Sequence, residues 1–562
     1  RIWRRLWNVQ RARASKPGRS LIRRVKRLVG QPRLRAVRRR RLNLDPPIEM
    51  LHPPIPPAFV SGFIAGRPQI VTRQRVDDLD TPVGAFLKLG GATKAGSFLF
   101  ESVEGGETRG RYSFVCMNPD LVWKLDDGKA SISAHGSFDP AAFVSDPRPA
   151  LDSLRATLAE AKADGDEALP PMATALFGYL GYETVRLVEV LPDTLPDPLG
   201  VPGGLMVRPQ LVVAFDGVRQ EAMLITVARP ALGVNAQGAW EAAQARLDAA
   251  QLALDAPLHA PANGTPFPMA AEPKANFEPA AFRAVVEKVK DYVRAGDAFQ
   301  VVPSQRFSAP FPHPPIALYR ALRRINPSPF LFFLQFHDFA IVGSSPEILV
   351  RVRDGTVTIR PIAGTRPRGA TPAQDRALEE ELLADPKERS EHLMLLDLGR
   401  NDVGRVSLAR AGGNAAASTG GLGRGGVRVT ASFTVERYSH VMHIVSNVEG
   451  QLDPKHDALD ALLAGFPAGT VSGAPKVRAM EIINEVEPHA RGVYAGAVGY
   501  IAPNGELDMC IALRTGVVKD GVLSVQAGGG VVLDSDPELE RQETVHKAKA
   551  LFRAAEEAGR FV

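Results

Sequence analysis

Apolar and polar positions along the chain mark out strands and helices from about residue 59 onward. Short apolar runs at 97–101, 112–117 and 210–215 read as strands, the last closed by the turn pair Asp216-Gly217. Residues 299–306 and 330–336 are strand-like as well. Helical spacing marks 240–254 and 279–295, and is strongest over 537–558. A polar, Ala- and Pro-rich stretch at 228–273 reads as a connector around the first of these helices. It divides the chain into an N-terminal region, 59–227, and a C-terminal region, 274–562, with 1–58 as a basic, Pro-rich extension. The run GGNAAASTGGLGRGG at 412–426 reads as a flexible surface insertion, because no strand–loop–helix context marks it as a phosphate loop.

Composition narrows the class. A chain of 562 residues that is 45% hydrophobic can bury a sizeable core. Two cysteines, Cys116 and Cys510, cannot supply a disulfide framework and suit a reducing cytoplasm. No run of about 18 apolar residues predicts a membrane span. The net charge of +6 suggests an acidic partner until it is divided. Residues 1–50 hold 17 basic and two acidic side chains, which leaves 51 basic and 60 acidic ones in the other 512 residues. The basic segment reads as lying upstream of the real start, with Met50 a plausible initiator. An Arg-rich transit peptide and an arm for phosphate backbones or anionic lipid are the other readings.

Two segments share a construction that bears on chemistry. Asp385-Pro386 and Asp536-Pro537 each supply a helix cap followed by a proline suited to the first turn. Each is followed by two glutamates three residues apart, Glu388/Glu391 and Glu540/Glu543, which share a helix face. If the two helices meet, four carboxylates could bind Mg²⁺. The same glutamates would also favour the helix dipoles, and Glu388 stands where a capping-box residue would. Glycine clusters at 363–365, 469–476 and 526–530 permit close backbone approach to an anion, though turns use glycine as often. Arg514, in the apolar run CIALRTGVV, reads as a cation in a buried strand that needs an anionic partner. His443, in HVMHIVSNV, reads either as a satisfied core histidine or as an active-site one. P-loop, zinc-site and Ser–His–Asp signatures are absent from the sequence.

Taken together, these segments resemble the chorismate-utilising enzymes, and within them the anthranilate synthase component I group. The resemblance runs from about residue 60 to the end. It is carried by AGDAFQVVPSQR (295–306), IVGSSPEILV (341–350), RPIAGTRPRG (360–369), KERSEHLMLLDLGRND (387–402), FTVERYSHVMHIVSNV (433–448), FPAGTVSGAPKVRAMEII (466–483), YAGAVGY (494–500) and QAGGGVVLDSDPELERQET (526–544). It implies an α+β fold, a large antiparallel β-sandwich with surrounding helices, in which 274–562 is the chorismate-binding catalytic region. It implies Mg²⁺ held at Glu391 and Glu543, with Glu388 and Glu540 in support. Gly364, Thr365, Tyr494, Arg514, Gly528, Gly529 and Gly530 fall on substrate-binding positions. Glu347 falls on the general acid that protonates the departing C4 hydroxyl, which requires burial or a like charge to raise its pKa. His443 and Thr470 fall on active-site positions, His443 at the pyruvate-elimination stage.

Two positions distinguish sister activities. Members that add water carry Lys where this chain has Gln300, so Gln300 implies a nitrogen nucleophile. Aminodeoxychorismate synthases carry a nucleophilic Lys where this chain has Ala363. The implied reaction is chorismate plus ammonia to anthranilate and pyruvate, the first step of tryptophan biosynthesis, with the folate-pathway enzyme as runner-up. No G-x-C-x-G glutaminase motif occurs in the sequence, so a separate glutamine amidotransferase subunit, in a heterotetramer, is the implied ammonia source. Nucleic acid and membrane are not implied partners, and the cytoplasm is the implied location. Phe98-Leu-Phe-Glu101-Ser102 and Asn326-Pro-Ser-Pro329-Phe330-Leu331 resemble the family's tryptophan-feedback segments. Phe100 stands where Leu is usual and Leu331 where Met is usual, and the first changes the pocket's shape.

Overall fold

A computed structural model describes residues 53–102, 111–165, 169–192, 195–258, 264–266, 272–408, 426–438 and 441–562. Most of the basic extension, and all of the Gly-rich run except Gly426, lie outside the described residues. The architecture is α+β: among the described residues 21 strands join in one antiparallel network, and Gln300–Val301 with Gly473–Ala474 forms a separate two-stranded ladder. The long strand Gly204–Asp216 belongs to both layers. On one side its path runs through Tyr112–Asp126, Ser97–Glu101, Phe330–Gln335 and Phe339–Ser345 to Thr515–Lys519, Val522–Gly528 and Ser304–Pro310. On the other it runs through Leu176–Leu180, Ala497–Ile501 and Leu507–Ile511 to Ile348–Arg353, Thr356–Ile359 and Val441–Gln451.

Both faces of most central strands are buried, which is why they read as continuous apolar runs. In Ser97–Glu101, Phe98 and Phe100 enter the layer between the sheets, packed among Phe177, Tyr179, Phe332, Phe336 and Tyr500. Leu99 faces the other way, into a core built with the helices Ala236–Asp255, Pro315–Ile325 and Pro537–Glu557. The other sheet is backed by the helices Ala150–Ala161, Pro386–Val406 and Ala458–Gly465.

Element positions follow the sequence pattern with two instructive differences. The strand expected over 112–117 continues to Asp126, because Asn118 takes φ 52° and the register slips between Pro119 and Leu121. A bulge there accommodates a proline that cannot donate to the ladder. The strand expected over 299–306 is two, Gln300–Val301 and Ser304–Pro310, parted at Val302-Pro303. Residues 228–273 contain the helix Ala236–Asp255, whose Trp240 packs edge-on against Phe59 at 5.1 Å. Strands from before and after this stretch pair directly, as Ser97–Glu101 does with Phe330–Gln335. No helix among the described residues is long and apolar enough to cross a membrane.

Candidate active site

The two Asp-Pro segments start helices as their chemistry predicts. Asp385 Oδ1 accepts from Lys387 N at 2.9 Å and Glu388 N at 3.3 Å, opening Pro386–Val406. Asp536 Oδ1 accepts from Glu538 N and Leu539 N, both at 2.9 Å, opening Pro537–Glu557. The glutamates these helices carry influence one another. Burial raises the Glu391 carboxyl above its ordinary range, and the charges of Glu388 and Glu543 push the same way. Glu540 is also raised, by burial first and then by Glu543. Ser535 Oγ donates to Glu540 Oε1 at 2.7 Å, while Glu540 Oε2 is buried with no hydrogen-bond partner among the described residues. Among the described residues no three His, Cys, Asp or Glu side chains are gathered as a ready-made metal site. Even so, carboxylates that raise one another's pKa, from the exposed Glu543 to the buried Glu540, and an orphaned oxygen fit a divalent cation.

Neighbours hold these groups in place. Arg366 donates to Glu388 at 3.1 Å, to Asp385 at 2.8 Å and to Glu381 at 2.9 Å, tying the start of the 386–406 helix to the strand Ile362–Pro367. Lys547 Nζ meets Glu543 at 2.7 Å and donates to Gly528 O at 2.9 Å. Gln300 Nε2 donates to Glu391 Oε1 at 3.1 Å, leaving its own buried Oε1 without a partner among the described residues. A Cβ on Gly530 would stand 2.2 Å from Gln300 Nε2, so glycine is required for this approach.

Glu347 lies between the strands Phe339–Ser345 and Ile348–Arg353. Burial pushes its carboxyl up to about 8, against the opposing hydrogen bonds from Thr470 Oγ1, at 3.2 Å, and Ile362 N. At neutral pH this group holds its proton. His443 shows the opposite response, since burial, aided by the charge of Arg514, lowers it to about 4 and keeps the ring neutral. Its Nδ1 lies 3.1 Å from Gly364 O and 3.0 Å from Thr365 Oγ1. A carbonyl only accepts, so Nδ1 carries the hydrogen and Nε2 keeps the basic lone pair. Gly364, at φ 70°, turns the chain where a residue with a side chain would be strained.

Arg514 departs from the sequence expectation. It stands in the turn between Leu507–Ile511 and Thr515–Lys519, at φ 47°, not within a strand. Among the described residues no carboxylate lies within ion-pairing distance of it. A half-buried guanidinium without a protein carboxylate is disposed toward an anionic ligand. Tyr494 is buried, and its hydroxyl is hydrogen-bonded to the Gly528 main chain, which joins two of the expected substrate-binding positions.

A second concavity lies elsewhere. A cavity of about 420 Å³ is lined by Phe100, Glu101, Ser102, Pro329, Phe330 and Leu331, together with aromatic rings and arginines from the other sheet. Five of the six positions expected to bind tryptophan therefore share one cavity. Asn326 is not among its lining residues and instead donates to Ser344 Oγ at 3.1 Å. The Glu101 carboxylate is committed to Tyr319 Oη, at 2.6 Å, and to Arg323, so it is the main chain of Glu101 that faces the cavity.

Sequence reasoning had not singled out Arg366, Lys547 or Arg491. Lys547 could have been found from its i, i+4 spacing to Glu543. Arg366 joins a strand to the helix start beyond it, and Arg491, although it also pairs with Glu487 four residues back, reaches Val302 and Val471 in distant segments.

Residues 98–553 match the family described as chorismate binding enzyme, and the chain belongs to that family. Its relatives narrow the picture. Anthranilate synthase component 1 of Cereibacter sphaeroides is 54% identical over 504 residues, covering 90% of this chain and 98% of the relative. The protein of that name from Pseudomonas aeruginosa is 48% identical over 483 residues, covering 85% and 93%. Among solved structures, anthranilate synthase component I from Streptococcus pneumoniae aligns with a TM-score of 0.66 at 35% identity, covering 85% of this chain and 98% of that one. The menaquinone-specific isochorismate synthase of Escherichia coli, at 20% identity and a TM-score of 0.63, shares the fold over 87% of this chain and 95% of its own.

Proposed function

We propose that this enzyme is the aminating subunit of an anthranilate synthase, converting chorismate and ammonia to anthranilate, pyruvate and water. The observation that carries the reading is Glu347, a buried carboxyl that keeps its proton to about pH 8 beside Thr470. Such a group can protonate a departing hydroxyl, as an ionised carboxylate cannot. Chorismate is a dicarboxylate, and Arg514, Tyr494 and the amides of Gly528–Gly530 offer it donors. Glu391 and Glu543, supported by Glu388 and Glu540, would hold Mg²⁺, which when bound supplies positive charge for a substrate carboxylate. As Glu347 gives its proton to the C4 hydroxyl, nitrogen adds at C2 and water leaves, forming aminodeoxyisochorismate. His443 Nε2 can then take the C2 proton as the enolpyruvyl group departs, protonated at its methylene carbon, as pyruvate.

Gln300 supports a nitrogen nucleophile, because an amide cannot activate water as a Lys base could. Ala363, on the strand Ile362–Pro367, has no amine for a covalent adduct, which weighs against 4-aminodeoxychorismate as product. The 420 Å³ cavity, lined by five of the six expected positions, supports tryptophan as a feedback inhibitor. A separate glutamine amidotransferase subunit would deliver ammonia, and two unpaired buried cysteines suit a cytoplasmic location. The test is product analysis of the purified chain with chorismate, Mg²⁺ and ammonium. Fluorescent anthranilate with equal pyruvate is expected, and aminodeoxychorismate without pyruvate would overturn the assignment. Glutamine-dependent turnover by this chain alone would remove the need for a partner.

A further inference from the structure

Beneath the floor of the cleft, one fully buried ion pair reaches several separate pieces of the site. The side chains of Arg491 and Glu487, just beyond the helix Lys476–Val486, are 1% and 2% exposed and meet at 2.6 Å. Arg491 Nη1 donates to Val471 O at 2.7 Å, on the residue that follows Thr470. Its Nη2 donates to Val302 O at 2.6 Å, in the segment that begins with Gln300. The guanidinium also lies against the Tyr494 ring, 5.5 Å from its centre, and against Tyr182 at 4.8 Å. Glu487 Oε1 accepts from both Ser304 N and Ser304 Oγ at 2.8 Å, and Ser304 pairs with Gly528 in the sheet. Glu183 accepts from Arg491 N at 2.9 Å and Gly492 N at 3.0 Å, locking the turn that carries the arginine.

Burying two charges is costly unless both are paired and hydrogen-bonded, and an apolar pair would often hold a fold as well. An apolar pair could not fix the carbonyls of Val302 and Val471, whereas a planar guanidinium presents its donors in a set geometry. The contacts are also selective. They hold the segments of Gln300, Thr470, Tyr494 and Gly528, whereas His443 takes its hydrogen bonds from Gly364 and Thr365 on a different strand. We infer that Arg491 and Glu487 are positioning residues for the amination half of the reaction, and that the elimination half, which shares only the Tyr494 and Gly528 contacts to the carboxylates, depends on them in KM and not in kcat. This rests on the reading of Glu347, Thr470 and Gln300 given above.

The experiment supplies each half-reaction separately. Arg491→Lys keeps the charge but loses the fork, and Ser304→Ala removes one donor to Glu487 with little change in volume. Turnover of chorismate with ammonium and Mg²⁺ should show kcat falling roughly 10²-fold in Arg491→Lys, as misplacement of reacting groups by about 1 Å predicts, and several-fold in Ser304→Ala. Aminodeoxyisochorismate given directly at saturation should be converted to anthranilate and pyruvate at close to the parent kcat by both variants, any change being confined to KM. A purely structural role would lower both half-reactions in proportion to the folded fraction, measured by circular dichroism. Parallel loss of both in the folded variants, or loss of neither, overturns the inference. If Arg491→Lys fails to fold, Ser304→Ala decides by the same criterion. A parent chain that makes no anthranilate from chorismate overturns the functional reading, and this inference with it.

Discussion

The candidate catalytic cleft and the 420 Å³ cavity lie on opposite sides of one short segment and are built from different materials. Pro346 and Ile348 line the cavity, while the Glu347 carboxyl between them meets Thr470. Alternation along extended chain sends neighbouring side chains to opposite faces, so one tripeptide serves both sites. On the cavity side, rings pack against rings: Phe100 with Phe114 at 5.5 Å and with Phe177 at 5.9 Å, and Phe114 with Tyr500 at 5.8 Å. The cleft side presents carboxylates, an imidazole, cations and glycine amides. Packing alone can fix the shape of an apolar wall. A polar cleft keeps its geometry through hydrogen-bonded supports such as the buried Arg491–Glu487 pair beneath it. Substitutions in the cleft should therefore alter chemistry at small cost to the fold, and those in the cavity should alter ligand affinity with chemistry spared.

Glu347→Gln tests the first half of that contrast and should have the largest effect. An amide cannot act as the acid, so chorismate turnover should fall roughly 10²- to 10⁴-fold, with the fold intact by circular dichroism. The pH dependence has a definite sign. Because the folded-state value is raised from 4.5 to about 8, the acid form persists at neutral pH and is lost as pH climbs through about 8. The parent's kcat/KM should decline across that range. Between the two values the folded state retains a proton that the unfolded state has released, so the group's stabilising contribution also fades as pH rises. Glu347→Gln should lack this part of the pH dependence in thermal unfolding. Turnover within tenfold of the parent would show that the acid is another group.

Glu391→Gln comes next. It removes a carboxylate that burial and the charges of Glu388 and Glu543 already disfavour. Mg²⁺-dependent turnover should be abolished, while the variant without metal should unfold no earlier than the parent. Mg²⁺ should raise the parent's unfolding midpoint, as any ligand specific to the folded state does, and leave that of Glu391→Gln unchanged. An equal shift in both proteins would place the cation elsewhere.

The parts of this site that were legible in the sequence obey local rules. Asp385-Pro386 and Asp536-Pro537 announced two helix starts, and three-residue spacing put each glutamate pair on one face. Glu347 and Thr470 could be singled out only through the resemblance, because a lone Glu after a proline has no physical signature of its own, whereas the apolar run around His443 marked it but left a core and an active-site role open. Arg514 shows the limit from the other side. An apolar run suggested a buried strand, but a backbone turn at φ 47° is not encoded by hydrophobicity. Arg366 stayed invisible because its partners come from another element, and Arg491 because, apart from Glu487 four residues back, the groups it holds lie in distant segments, as Val302 does. Chain pattern reports which face of an element is buried, and only tertiary structure reports what that face meets.

The smallest effect should come from Phe100→Leu, on the cavity wall. Phe100 is 9% exposed and packs on Phe114 of the neighbouring strand and on Phe177 of the facing sheet. Trimming it to Leu should cost about 1–2 kcal/mol of stability, as removal of buried carbon atoms with partial relaxation does. The cavity would widen at the position where the resemblance leads one to expect Leu, so tryptophan should inhibit at several-fold lower concentration. Turnover without tryptophan should match the parent, because the Phe100 ring is separated from the Glu347 carboxyl by the strand that the two sites share. Initial rates across a tryptophan titration, with and without the substitution, read both quantities in one experiment. A change in uninhibited kcat as large as the change in inhibition would mean that the shared segment transmits packing strain into the cleft, and the division between the two sites would fail.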